Sequence, residues 1–168
     1  MARTDKDLEQ ALENWRQGRA AIDEVRSLAA DLGNQHYSPG IPVLLELLDH
    51  EDGIVRCNAA TSLAFELHHK PATDRLLAML ERDADPDNRD VAAAGLGGLS
   101  QDSKNRGVLE ALAKAALDDP DEDVRSSAYK SMLIVNGVPR EEHLRLILAG
   151  NLPVDSSNVH AILAETAP

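Results

Sequence analysis

Six histidines, one cysteine and 29 Asp and Glu are the side chains of this 168-residue chain that admit metal or acid–base chemistry. His68 and His69 are neighbours, and adjacent side chains on a helix diverge by about 100°, so both cannot face one ion. Glu66 and His69 have a chelating helical spacing, but an exposed helix end beside Lys70 accounts for both. Asp83, Asp85 and Asp87 alternate as in a calcium loop. The glycine and the closing glutamate that such a loop requires are not in place. Cys57 follows Arg56, a cation that would lower a thiol pKa, yet no histidine is spaced to mark it as a nucleophile, and it reads as a small buried helix residue. Ser100, Ser126, Ser127 and Ser131 have no glycine-bracketed elbow around them. Gly95, Gly97 and Gly98 neither follow a strand nor precede a Lys-Ser/Thr pair, so close helix packing rather than phosphate binding explains them. These residues predict no catalytic centre, no metal and no cofactor.

The carboxylates remain, and they are unevenly placed. Seventeen Lys and Arg against 29 acids leave a net charge of −12, a field that repels nucleic-acid phosphates and anionic lipid and favours a basic protein partner. Residues 49–52 carry −3, residues 81–90 carry −3 and residues 118–123 carry −5, together −11 of that charge. Only Trp15, Tyr37, Phe65 and Tyr129 are aromatic, too few for a platform that stacks bases or flat cofactors. No apolar run approaches the roughly 18 residues of a membrane span, and MARTDKDLEQ lacks a signal-peptide core, so a cytoplasmic location is expected. A lone cysteine cannot form an intrachain disulfide, which agrees with that compartment.

What positions these acids is a repeat. Leu, Ala and Val recur at helical spacing from Asp7 onward, so the chain is expected to be all-α. Asp52-Gly-Ile-Val55-Arg56-Cys-Asn-Ala59-Ala-Thr-Ser-Leu63 matches Asp121-Glu-Asp-Val124-Arg125-Ser-Ser-Ala128-Tyr-Lys-Ser-Met132 at an offset of 69. Midway, Asp87-Asn-Arg-Asp-Val91 supplies a valine, with Gly95 four later and Leu99 eight later, but without the arginine after the valine. Asp23-Glu-Val25-Arg26-Ser-Leu-Ala29 and Asn158-Val159 extend the series at either end. Positions i, i+4 and i+8 form one ridge of a helix, a small middle residue admits a neighbouring helix, and the leading Asp suits an N-cap. Amphipathic segments Ile41 to Leu48, Asp74 to Leu80, Val108 to Leu117 and Glu141 to Ala149 precede these helices. One domain of five two-helix units is predicted, about 4–35, 38–70, 72–102, 105–137 and 139–166, with the first unit readable as two helices or as one that tolerates Gly18.

The Asp-x-x-Val-Arg-x-x-Ala unit and the Asp85-Pro-Asp87 and Asp119-Pro-Asp121 turns resemble short HEAT-type repeats, a match that covers residues 38–137 best. The resemblance implies an α-α superhelix, a HEAT-like solenoid with a concave face that binds another protein. Its enzymes can be compared residue by residue. Where deoxyhypusine hydroxylase holds iron with His-Glu pairs, this chain has Cys57-Asn58, Ala93-Ala94 and Ser126-Ser127. HEAT-like DNA glycosylases use a basic, aromatic concave face that is not matched here.

Turns of one type lie along one edge of a solenoid, so the acids would form a ridge about 30 Å long, at about 10 Å per repeat. Part of that charge is expected to cap helices and to pair with the arginine of an adjoining repeat. Five acids in 118–123 exceed that need, and the excess reads as a landing strip for a basic partner. The predicted contacts are Asp49, Glu51, Asp52, Asp83, Asp85, Asp87, Asp118, Asp119, Asp121, Glu122 and Asp123. Behind them come Asn58, Thr61, Ser62 and His69, their equivalents Ser127, Lys130 and Ser131, and Tyr129 as an exposed aromatic anchor. Resemblance to small acidic HEAT-like proteins implies a bacterial immunity protein, monomeric or in a 1:1 complex, that occludes a cationic toxin or effector such as a nuclease. An accessory subunit of a lyase-like, cofactor-handling enzyme and a general assembly scaffold are the alternatives.

Overall fold

A computed structural model describes residues 3–150 and 152–166. Ten α-helices run through them: α1 (Asp5–Arg16), α2 (Ile22–Asn34), α3 (Ile41–Leu47), α4 (Gly53–Thr61), α5 (Thr73–Arg82), α6 (Pro86–Leu99), α7 (Arg106–Asp118), α8 (Glu122–Val135), α9 (Arg140–Leu148) and α10 (Ser156–Glu165). No strand is present among the described residues. The all-α class is therefore the observed one, and the helix pairs fall where the amphipathic segments predict them.

The chain divides into two compact units, Met1–Arg75 and Leu76–Pro168, with the division in the first turn of α5. In the first, α1 and α2 are separate helices, because the chain turns at Gly18, whose φ of +65° is easy only for glycine. Thr4 and Asp7 form a reciprocal capping box at the start of α1. α2 packs against α4, burying Val25, Leu28, Ala29 and Leu32 against Val55, Ala59 and Leu63. α4 continues into a π-helical turn, Ser62–Glu66, and ends before His68, whose φ is +46°. Glu66 and His69 thus do not share a helix, and the chelating spacing read from the sequence is not realised. Trp15 of α1 lies over the His50 ring at the α3–α4 turn, centroids 5.8 Å apart.

In the second unit α6 packs on α8, and α7 packs on α8. The last helix pair departs from a simple repeat. α10 lies against α7 and holds Tyr129 of α8 through Asn158, whose amide donates to the phenol oxygen at 2.9 Å. Arg106 of α7 donates to the Leu163 carbonyl. α9 touches α8 and, of its own residues, buries only Leu146.

The ridge of the third repeat lies two to three residues from the register read in the sequence. Asn88, Ala92 and Leu96 are fully buried and take the places of Val55, Ala59 and Leu63 and of Val124, Ala128 and Met132, whereas Val91 is only half-buried. The cap is Asp85, which accepts from the Asp87 amide, and Pro86 takes the first helical position that proline favours. The arginine of this copy is therefore present, as Arg89. Two errors compound: Asn88 stands in the valine position, and Asp85-Pro-Asp87 imitates Asp119-Pro-Asp121 although its true counterpart is Asp83-Ala-Asp85. In the first repeat the cap is Ala21, with Glu24 accepting from its amide at 2.9 Å, so Asp23 is not an N-cap.

Candidate functional site

Most of the turn acids are consumed by the fold. Asp52 and Asp121 cap α4 and α8, as Asp85 caps α6. Two residues before each cap a side chain accepts from the cap's own amide: Asp83 to Asp85 at 3.0 Å, Asp119 to Asp121 at 2.9 Å, and His50 Nδ1 to Asp52 at 3.0 Å. The repeat arginine then clamps each turn from behind. Arg56 Nη1 donates to the carbonyls of His50 and Glu51, Arg89 Nη1 to those of Asp83 and Ala84, and Arg125 Nη1 to those of Asp119 and Pro120.

Within each unit an arginine also reaches a neighbouring repeat. Arg26 grips Asp52 with Nε and Nη2 at 3.1 and 2.5 Å, and Arg89 grips Asp119 with the same atoms at 2.8 and 2.9 Å. The second pair is nearly dry, with side chains 11% and 7% exposed. The Arg26 hydrogen bonds, helped by the Val55 amide and opposed by burial, hold the Asp52 carboxyl at about 2. For Asp119, burial pulls upward but Arg89 and the Asp121 amide prevail, and its pKa is lowered. Asp49 pairs with Arg75.

Several predicted contacts are thereby assigned to structure. Ser62 is buried, donates to the Ala29 carbonyl at 2.7 Å, and packs on Gly33; Ser131 is buried against Gly97. Tyr129, expected as an exposed anchor, is 5% exposed, its ring on the core side and its hydroxyl held by Asn158. Asn58 donates to the Arg26 carbonyl at 3.0 Å and so ties α4 to α2. Thr61 and His69 are half-buried in the first unit, and Cys57 is half-buried on α4. Glu51, Asp118 and Glu122 are exposed on their turns.

What remains converges on one place. A half-open groove of about 310 Å³ runs between the N-terminal halves of α6 and α8, lined by Pro86, Asp87, Asp90, Asp121, Asp123, Ser126, Ser127, Lys130 and Gly150. Asp87 and Asp123 stand two residues past the caps of their helices and are exposed, with no cationic partner among the described residues. Asp90, one turn further along α6, is half-buried; burial first, then the charges of Asp123 and Asp87, push its pKa up, against the Ser127 hydroxyl and Lys130. At its Gly150 side the Leu152 amide donates to Ser126 Oγ at 2.6 Å and the Lys130 ammonium donates to the Gly150 carbonyl. Four carboxylates thus face one ammonium that is already engaged. Such an arrangement carries net negative charge, and its field attracts cations.

Of the groove residues, Asp87, Asp121, Asp123, Ser127 and Lys130 were predicted from sequence, whereas Asp90 and Ser126 were not. A signal for Asp90 exists once the third repeat is in register: it falls five residues past its cap, the place of Cys57 and Ser126. Among the described residues no group of three or more His, Cys, Asp and Glu is arranged to hold a metal ion. No described helix is long and apolar enough to cross a membrane.

No curated protein matches the chain. The repeat model of the HEAT family matches residues 8–97 and 73–145, overlapping stretches that span the whole series of capped, arginine-clamped helix pairs from α1 to α9. HEAT repeats generally build helical scaffolds for protein–protein interaction. With the matched stretches covering well over half of its length, the chain belongs to the HEAT-repeat family.

Proposed function

We propose that this protein is a non-catalytic binding module whose acidic groove receives a basic surface of a single protein partner, and that it acts as an immunity-type inhibitor of a cationic toxin or effector such as a nuclease. The observation that carries the reading is the sorting of the acids. Asp52, Asp83, Asp85, Asp119 and Asp121 have structural partners, while Asp87 and Asp123 have no cationic partner among the described residues and gather on the groove with Asp90, whose pKa burial and their charges raise against the Ser127 hydroxyl and Lys130. Like charges gathered in one groove are what a complementary ligand would stabilise. On a nuclease, whose own site is built for phosphates, these carboxylates would stand in for the phosphate charges, and inhibition would be occlusion.

The test is co-expression of the wild-type chain and the D87N/D90N/D123N variant with cationic nucleases made in the same cell. The proposal predicts that the wild type restores growth against one such nuclease and co-purifies with it at equal stoichiometry, and that the variant, folded by circular dichroism, does neither. Equal protection by both forms would refute the groove as the binding site.

A further inference from the structure

α9 is the least integrated helix of the second unit. Leu144, Ile147 and Leu148, spaced i, i+3 and i+4, are 58%, 56% and 83% exposed and lie along one face of it. Leucine and isoleucine stripes on a surface helix normally face a core, and this one lacks a covering element among the described residues. The stripe is about 6 Å long along the axis, and Leu148 is two residues, about 7 Å of chain, from Gly150, which lines the acidic groove. The C-terminal end of the apolar face thus lies two residues along the chain from the lining of the acidic groove.

We infer that the α9 stripe and the groove form one docking surface for a cationic amphipathic helix, which places Lys or Arg against Asp87, Asp90 and Asp123 and lays an apolar turn on Leu144, Ile147 and Leu148. The occupant follows from charge complementarity. The groove selects a basic segment, while α9 itself, with Arg140 and Arg145 against Glu141 and Glu142, has no net charge to oppose one. The inference rests on the groove being the partner's landing site and adds a second, apolar contact and a helical ligand. Burial of three aliphatic side chains supplies affinity, and the carboxylates supply orientation and speed of encounter.

The test titrates the ¹⁵N-labelled full chain with a Leu/Lys amphipathic peptide of about 14 residues, about four helical turns, and with Leu/Glu and Ser/Lys counterparts. Shifts in both the α8 N-terminus and α9 are expected with the Leu/Lys peptide, and I147S/L148S and D87N/D123N should each weaken it about tenfold. All four substituted side chains are exposed, so both variants should fold. A Ser/Lys peptide that binds as tightly, or an I147S/L148S variant with unchanged affinity, would overturn the inference and leave the basic-partner reading standing. A Leu/Glu peptide binding equally well would overturn both. Concentration-dependent dimerisation of the free chain that I147S/L148S abolishes would assign the stripe to a second copy and likewise overturn it.

Discussion

Arg89 is the residue on which the second unit depends most. It is almost buried, donates to two turn carbonyls behind it and bidentately to Asp119 ahead of it, so its removal strands a buried carboxylate as well as a turn. Breaking a buried pair from one side costs about 3 kcal/mol, and we expect Arg89→Ala to lower the urea midpoint accordingly without changing the slope. Asp52 makes a pH-dependent contribution of definite sign. Its carboxyl is held at about 2 against an ordinary 3.8, so its stabilisation is full above about pH 4 and is lost as pH falls from 4 to 2. Asp52→Asn keeps a capping side chain but gives up the ion pair, and the decline of stability over that window should become shallower; an unchanged profile in urea titrations at stepped pH would contradict this. Asp90 works in the opposite sense, since its raised pKa means that ionisation above the normal range weakens the fold.

At the scale of elements, close approach of neighbouring second helices rests on glycine in one and serine in the other. A Cβ at Gly97 would come within 2.8 Å of Ser131 Cβ and 3.1 Å of its Cα, and one at Gly33 within 2.5 and 2.8 Å of the same atoms of Ser62. Backbone cannot move aside cheaply, so Gly97→Ala should destabilise by about 1–3 kcal/mol. Gly98 is exposed with open space where a Cβ would go, and Gly98→Ala should stabilise by about 0.5 kcal/mol through helix propensity. Thermal unfolding of the two variants should move in opposite directions. The helices, their pairing and Gly97's packing role were legible in the sequence because i, i+4, i+8 ridges are a geometric requirement that hydrophobicity reports directly. The third register was not, because the residue in the valine position, Asn88, is polar yet fully buried, its amide donating to Asp83 at 3.3 Å, and no hydropathy pattern marks such a residue as core. The exposed stripe on α9 escaped for the converse reason: an apolar helix face reads as core whether or not anything covers it.

For the whole molecule, −11 of the net −12 falls at 49–52, 81–90 and 118–123, but the structure places Asp87, Arg89 and Asp90 inside α6 and Glu122 and Asp123 inside α8 rather than in the turns the sequence reading expected. The sequence could not tell which acids are spent on the fold, because that depends on partners some 30 residues away, such as Arg26 for Asp52 and Arg89 for Asp119. Five acids at 118–123 look like a surplus, yet Asp119 and Asp121 are among the most committed side chains of the chain, whereas Asp90, inside α6, belongs to the groove. The central claim is that the groove acids serve a partner, and one paired measurement tests it most directly: thermal unfolding of D87N/D90N/D123N beside wild type at neutral pH, with affinity for the cationic partner recovered by co-purification. Relief of the Asp87–Asp90 repulsion alone is worth about 0.2–0.5 kcal/mol. The account predicts a variant that binds at least about tenfold more weakly while its stability stays within about 1 kcal/mol of wild type, because relief of that repulsion is set against the loss of Asp87 and Asp123 from the first turns of α6 and α8, where the helix dipole favours them. A variant that melts lower and binds as well would show these carboxylates to be structural and would contradict it.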